Sequence, residues 1–371
     1  MQLLHDLYND ILANGTYKLS RAVDPKTGKT VGTVAVFGRT LRHKLSEGFP
    51  LLTTKQVSFH NVKEELLWFI RGEDNIKSLQ AKGVKIWNEW AQPNGDVGPI
   101  YGVQWRRWQG LAKAHHEDAL GLLSSIQCGI ERPEADGEYS ILLNRAQEWD
   151  EAAGDVRDYL EQGTIDQLHN VIQTLKANPN DRRMVVSAWN PAQIAEMGLP
   201  PCHYAFQFVT RLEHLPGCPS SPTYSVKMAD FYDIPNDPVA RWRDERTKMC
   251  YCGVLTARGV WPQRRLDCIV HMRSADAFLG VPYNLASYAL LTSMVAQVTD
   301  MRPGDLMMTF ADLHIYENHI DQVAEQLARE PRELPKLLLH PPIRDIDGFE
   351  SEHIQIEGYD PHPAIKAPVA V

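Results

Sequence analysis

The chain has no run of eighteen apolar residues, so no membrane-spanning helix is expected. Its opening, Met1-Gln2-Leu3-Leu4-His5-Asp6, has no basic segment followed by an apolar core, so no secretory signal is expected either. Cysteine is scarce. Six cysteines in 371 residues do not make a disulfide scaffold, which points to a reducing cytoplasm. Positive charge is also short: 38 Lys and Arg face 47 Asp and Glu, leaving a net charge of -9. A nucleic-acid coat is normally basic, so that class is set aside. An anionic ligand must then be met by locally placed arginines, not by a general positive field. What the chain does have is 43% hydrophobic content, enough for a substantial core in one large domain or two ordinary ones.

One stretch organises the rest. Leu199-Pro200-Pro201-Cys202-His203-Tyr204 runs into Ala205-Phe206-Gln207-Phe208-Val209-Thr210, a segment of high β-propensity. The two prolines fix φ and give no backbone donor, so they stiffen the approach to a strand. A thiol at that strand mouth would be held in one orientation. The plain alternative for Cys202 is a buried structural cysteine.

Before it, Leu3, Leu4, Leu7, Tyr8, Ile11 and Leu12 recur at helical spacing, and Asn14-Gly15 closes that helix. Leu19 to Pro25 reads as a polar loop leading to strand-like Thr33 to Gly38. Val62, Leu66, Leu67, Phe69 and Ile70 predict a buried helix interrupted by Glu64 and Glu65. Glu64 is expected to face water. A Glu65 carried inward needs a partner or a raised pKa. Trp87 and Trp90 in Ile86-Trp87-Asn88-Glu89-Trp90 suit a core, and Tyr101, after a Gly-Pro turn, reads as a phenol on a loop. Residues 111–165 are acidic and read as an inserted surface subdomain. An amphipathic helix resumes at Asp166 and ends before Asn178-Pro179.

Arg182 and Arg183 precede a strand expected over Met184 to Trp189. An adjacent pair of guanidinium groups suits a phosphate, whose oxygens they bind bidentately. Residues 213–262 form a second departure, read as a long hairpin excursion. It carries His214, Cys218, Cys250 and Cys252, a possible zinc set, but Cys250-Tyr251-Cys252 is tighter than the usual pair, so no metal is expected. A strand is expected from Leu266 to Arg273, and a helix opened by Asn284 with Leu285, Tyr288, Leu291, Met294, Val295 and Val298 on one stripe. Asp312 to Tyr316 ends a further strand ahead of a helix over 317–330. His314 and Tyr316, two apart on it, share a face and suit one sugar hydroxyl.

Several long motifs, in order, resemble the thymidylate synthase family: Glu65-Leu66-Leu67-Trp68-Phe69, Gly98-Pro99-Ile100-Tyr101-Gly102, Asp181-Arg182-Arg183, Pro200-Pro201-Cys202-His203, Arg273 through Asn284, and Glu357-Gly358-Tyr359-Asp360-Pro361-His362-Pro363 with the ending Ala367 to Val371. The resemblance covers most of residues 1–110, 166–212 and 263–371. It implies an α/β (α+β) fold, a large mixed sheet packed against helices, with subunits joined sheet to sheet as a homodimer. It implies one catalytic domain over 1–371, carrying the two insertions. By resemblance, Cys202 is the nucleophile, and Glu65, Tyr101, Arg273 and Asp276 complete the catalytic set. Arg21, Arg182, Arg183, Arg273, Ser274, Asn284, His314 and Tyr316 would hold deoxyuridylate, with Arg182 and Arg183 reaching the partner subunit's nucleotide. Trp87, Asp276 and Val371 would hold the co-substrate 5,10-methylenetetrahydrofolate.

The implied chemistry suits these residue types. A thiolate can add to C6 of uracil and make C5 nucleophilic. A free cysteine near its usual pKa of ~8.5 is only slightly ionised at neutral pH, and Arg273 is expected to lower that value. The Asn284 amide offers the donor and acceptor that pair with O4 and N3–H of uracil. Hydride then gives thymidylate and dihydrofolate; water in its place would give 5-hydroxymethyl-deoxyuridylate. Met272, Phe310-Ala311, Gln56 and Leu313 depart from the reductive pattern, and Leu313 resembles the hydroxymethylase branch. Trp87 and the tail favour thymidylate synthase. A nucleotide-binding protein without turnover would not need Cys202 or Glu65. A Cys–His hydrolase is disfavoured because His203, adjacent to Cys202 on a strand, points to the other face.

Overall fold

A computed structural model describes residues 2–24, 28–109, 164–212 and 264–369. The first helix, α1 (Gln2–Asn14), buries Leu4, Leu7, Tyr8 and Ile11, the stripe its spacing predicts, and ends at Asn14 as expected. Strands β1 (Thr16–Val23) and β2 (Thr30–Lys44) form an antiparallel pair. The polar loop expected from Leu19 is therefore corrected. Residues 19–23 continue β1, paired with β2 at Leu19–Gly32 and Val23–Thr30 across an irregularity in which Ser20 Oγ accepts from the Ala22 amide.

Next come α2 (Phe59–Ile70), α3 (Lys77–Ala81) and α4 (Tyr101–Arg106). Ser58 caps α2 by accepting from the Asn61 amide. The short strands β3 (Trp108–Gln109) and β4 (Thr164–Ile165) pair antiparallel and flank the first insertion, most of which lies outside the described residues. Asp166 caps α5 (Gln167–Ala177), accepting from the His169 amide. Strand β5 (Val185–Ser187) is shorter than expected, and β6 (His203–Leu212) follows Cys202 directly. The second insertion is also outside the described residues, but the strands it joins, β6 and β7 (Arg264–Met272), pair antiparallel with Leu212 opposite Arg264.

After β7 come β8 (Ala275–Asp276), α6 (Gly280–Val298) and β9 (Arg302–Tyr316). Helix α6 begins a turn before Asn284. Pro282 fits its first turn, where no donor is required. Nor does it show a single apolar stripe: it is buried nearly all round, as a central helix should be. Beyond β9, the expected helix over 317–330 is a 3₁₀ turn, Glu317–His319, then α7 (Ile320–Leu327). A final hairpin, β10 (Lys336–Leu339) with β11 (Ile354–Glu357), precedes the tail.

The main sheet runs β1-β2-β9-β7-β6-β5, with β8 also on β9. Among the described residues only the β7–β9 and β8–β9 pairs of this sheet are parallel, so the sheet is mixed and packs on helices, as the sequence implies. One core cluster joins α1, α2, α6 and the buried side chains of the sheet. Truncating a side chain such as Phe206, fully buried there, costs about 3–5 kcal/mol.

This topology gathers the functional residues. Because β6 and β7 are antiparallel, the start of β6 lies beside the end of β7, and His203 faces Met272. Cys202 and Arg273 are thereby neighbours although 71 residues apart. Because β9 runs parallel to β7, its end brings Asp312, His314 and Tyr316 to the same edge, with Asp276 of β8 opposite His314.

Candidate active site

Cys202 sits in that gap. The Arg273 amide donates to the Cys202 carbonyl at 2.9 Å. The Arg273 guanidinium donates to the Pro201 and Pro200 carbonyls at 2.9 and 2.8 Å and reaches Cys202 Sγ at 3.9 Å. The Pro200-Pro201 pair thus serves as a fixed acceptor platform that orients the guanidinium beside the sulfur. The expected net effect on the thiol is corrected. Burial raises the Cys202 pKa, and Arg273 offsets that only in part, so the resting sulfur is held as a thiol.

Tyr101 differs from expectation as well. It is the first residue of α4 and is buried, not displayed on a loop. Its hydroxyl oxygen accepts from the Cys202 amide at 2.8 Å. Two glycines make the position possible. Gly98 has φ 72°, and a Cβ there would lie 2.1 Å from the Glu196 carbonyl oxygen; a Cβ on Gly102 would lie 2.6 Å from that of Phe69. Burial, then the nearby Cys202, lifts the phenol well above its usual range, so it stays protonated.

On α2 the two glutamates separate sharply. Glu64, expected to face water, is buried and pairs with Lys82 at 2.6 Å and with Ser351. Burial alone would raise its pKa, but Lys82 and Ser351 bring it below the usual value. Its partners lie far away in sequence, so helical spacing gave no sign of them. Glu65 is the inward carboxyl, as anticipated. Trp87 Nε1 donates to it at 2.7 Å, and burial raises its pKa to about 7. A carboxyl titrating there can both give and take a proton near neutrality.

The remaining wall is built by β8, α6 and β9. Asp276 Oδ1 accepts from the Phe278 and Leu279 amides at 2.9 and 3.1 Å, which turns the chain into α6. Ser274 lies between Arg273 and β8. A Cβ on Gly280 would lie 3.6 Å from Asn284 Oδ1 and 3.7 Å from Asp276 Cβ, which places that amide beside Asp276. His314 and Tyr316 meet edge to face with ring centroids 5.1 Å apart, so the shared face is real. Burial raises the Tyr316 phenol to about 12, with Asp276 and Cys202 adding to the rise.

Three expected ligands stand apart. Arg21 is exposed on β1. Arg182 and Arg183 are exposed ahead of β5; the Arg183 side chain is 89% exposed and pairs with Asp181 at 2.7 Å. Val371, His214, Cys218, Cys250 and Cys252 lie outside the described residues.

The sequence reading missed two groups. Lys55 is buried, donates to the Phe278 carbonyl at 2.6 Å, and lies 3.2 Å from the Phe278 ring centroid. Burial lowers its pKa to about 7, although Asp276 pulls the other way. Its only sign in sequence was adjacency to Gln56. His203 stacks on Tyr101 at 4.0 Å and bonds the Tyr288 hydroxyl through Nδ1 at 2.8 Å. Burial drops its pKa to about 3, so it is a neutral support for Tyr101.

A thiol beside a fixed guanidinium, with a carboxyl poised near neutrality, a protonated phenol and an amide in the same neighbourhood, suits nucleophilic addition with proton transfer. The chain matches the family described as thymidylate synthase over residues 2–219 and 239–371, and it belongs to that family. The unmatched 220–238 falls within the second insertion. The chain is therefore a one-carbon transferase acting on deoxyuridylate, with methylenetetrahydrofolate as co-substrate. Among the described residues there is no cluster of three metal-ligating side chains, and no helix is long and apolar enough to cross a membrane.

Proposed function

We propose that the chain is a thymidylate synthase, forming thymidylate and dihydrofolate through a covalent bond between Cys202 and C6 of deoxyuridylate. The reading rests chiefly on the Cys202 sulfur lying 3.9 Å from the Arg273 guanidinium at the edge where Glu65, Tyr101 and Asp276 converge. Arg273 and Ser274 take the phosphate, and Arg273 favours the thiolate as substrate binds. Cys202 Sγ adds to C6, and the electron pair moves through C5 to O4. Glu65 supplies the proton that stabilises O4. Asn284 holds O4 and N3–H. Methylenetetrahydrofolate supplies the one-carbon unit that C5 attacks, and then a hydride. Ordered water held by the Tyr101 hydroxyl takes the C5 proton, the carbon–nitrogen bond to the folate breaks, and Sγ leaves as hydride turns the C5 methylene into the methyl.

Trp87 and Asp276 fit the co-substrate. Asp276 spends Oδ1 on the Phe278 and Leu279 amides and keeps Oδ2 for a ring N–H, while Trp87 holds the Glu65 carboxyl through its indole N–H. The tail supports hydride over water. Arg329 donates to the Pro363 carbonyl at 2.6 Å and His319 bonds the Pro368 carbonyl at 2.8 Å, so the strap that excludes solvent is drawn in close to its end. Val371 lies beyond the described residues, and its part in holding the folate is read from the resemblance.

Three departures, Met272, Phe310 and Leu313, lend the hydroxymethylase reading less weight than their sequence suggests. Met272 and Phe310 are opposite each other in β7 and β9 and both are buried, so each fills space for the other. Leu313 is likewise core. A cytoplasmic homodimer completes the proposal. Arg182 and Arg183, both exposed and with Arg183 steadied by Asp181, serve the partner's phosphate, and exposed Phe37, Val185 and Val209 on the sheet strands are covered by a second copy. The test is to incubate the protein with deoxyuridylate and methylenetetrahydrofolate and identify the nucleotide by mass. A methylated base supports the reading; a hydroxymethylated base establishes the hydroxymethylase; unchanged deoxyuridylate refutes both.

A further inference from the structure

Strand β7 divides its side chains between two faces. Leu266, Cys268, Val270 and Met272 are buried in the core, so Ile269 and His271 face the other side of the sheet. Register carries that outer face across five strands. His271 lies opposite Thr309 of β9 and Ala205 of β6, and the row ends in Thr40 of β2 and Ser187 of β5. The next row holds Met307, Ile269, Gln207 and Val185. Of these side chains only His271 can ionise. Further along the face, charges cancel in pairs, Arg42 with Asp305 and Arg211 with Asp267.

The surroundings of His271 fix where a second proton would go. Its Nδ1 lies 2.9 Å from Thr309 Oγ1, and that hydroxyl donates its own hydrogen to the Val270 carbonyl at 3.2 Å. Thr309 can then only accept, so Nδ1 carries the ring hydrogen and Nε2 is a bare acceptor. The groups facing the ring bring it no carboxylate. From β9 come Thr309, with Met307 and Ala311 to either side; from β6 come Ala205 and the Tyr204 ring, at 6.2 Å between centroids. Along β7 itself the neighbours are Ile269 and Arg273, whose guanidinium is turned to the Pro200 and Pro201 carbonyls. Burial lowers the pKa of the His271 ring below the ordinary 6.5, and no neighbouring charge among the described residues offsets it.

We propose that His271 makes assembly of the homodimer pH-dependent: with the ring neutral two copies close over this face, and a proton on Nε2 leaves an unpartnered charge between the sheets and drives them apart. This rests on the homodimer reading above, in which a second copy covers the outer side of the sheet. Because Arg182 and Arg183 serve the partner's phosphate in that reading, acid separation of the chains also switches off turnover. A ring covered by a second sheet binds a proton more weakly than the ring of a separated chain, so acid favours the separated chains. Each tenfold loss of proton affinity counts twice in a symmetric dimer, so the dimer Kd should rise by about 100-fold between about pH 7.5 and 5.5.

Fluorescence-detected sedimentation of a dilution series measures that Kd at pH 7.5, 6.5 and 5.5, with circular dichroism following the fold. His271→Asn, whose side-chain amide can still donate to Thr309, should hold one Kd at all three values. His271→Lys, charged throughout, should already weaken the dimer at pH 7.5, and it decides the matter alone if the wild-type fold gives way at pH 5.5. Wild-type activity at pH 5.5 should fall on dilution, and that of His271→Asn should fall far less. A wild type that sediments as a monomer at pH 7.5 overturns the homodimer reading, and the switch with it. A wild-type Kd that does not change with pH overturns the switch and leaves the homodimer standing. Equal acid weakening in wild type and His271→Asn does the same, as does a His271→Lys dimer as tight as the wild type at pH 7.5.

Discussion

Glu65→Gln should make the folded protein more stable and the enzyme inactive. Burial raises this carboxyl from 4.5 to about 7. Its folded-state pKa lies above its unfolded value, so the native state binds the extra proton between those two values. Stability contributed by the protonated form is present below about pH 4.5 and is lost as pH rises towards 7. Every tenfold change in proton affinity is worth about 1.4 kcal/mol, so the ionised, enclosed carboxylate costs up to about 3 kcal/mol at pH 8. Glutamine carries no charge and keeps an oxygen to accept from Trp87 Nε1, so the variant avoids that cost without losing the bond. Urea unfolding at fixed protein concentration should show the variant ahead by up to about 3 kcal/mol at pH 8, with the gap closing below pH 4.5. Turnover should fall by about 10²- to 10⁴-fold, the usual worth of a general acid or base. A stability difference that is flat with pH, or that grows towards acid, refutes the assignment of Glu65 as the enclosed, raised carboxyl.

Cys202→Ser should abolish turnover yet still bind deoxyuridylate in calorimetry, because the alcohol is far less nucleophilic while the phosphate and base contacts remain; substantial remaining activity removes Cys202 as nucleophile. Mixing inactive Cys202→Ala and Arg183→Ala chains should restore part of the activity, since each heterodimer keeps one intact site, and full activity from a sedimenting monomer contradicts the shared site. Asn284→Asp should move the kcat/KM ratio from deoxyuridylate towards deoxycytidylate, because a carboxylate accepts from the cytosine amino group and cannot donate to uracil O4; an unchanged ratio frees Asn284 from base reading.

Much of this was legible where the signal is local. The 3.6-residue spacing of α1, the Asp166 cap of α5 and the adjacent arginines before β5 follow from neighbours in sequence. The pairing of Cys202 with Arg273 was legible through its motifs, and the antiparallel β6–β7 ladder is its physical basis. What escaped depends on distant partners. Glu64 is buried because Lys82 and Ser351 meet it, and no pattern within α2 records them. Tyr101 left its loop because α4 starts at that residue, under a carbonyl that only Gly102 admits. The Cys202 thiol is a contest between two large opposing effects. Sequence named the arginine but not the depth of burial that outweighs it. Lys55 was passed over for the same reason, since its meaning lies in Phe278.

The central claim is that a sealed site passes a hydride, not water, to the one-carbon unit on C5. The most direct measurement follows dihydrofolate by its absorbance while deoxyuridylate is consumed by wild-type protein. The account predicts one dihydrofolate for each nucleotide converted, and deletion of Val371 should break that equality in favour of hydroxymethyl or thiol-trapped product. Consumption of deoxyuridylate by the wild type with release of tetrahydrofolate and no dihydrofolate signal contradicts it.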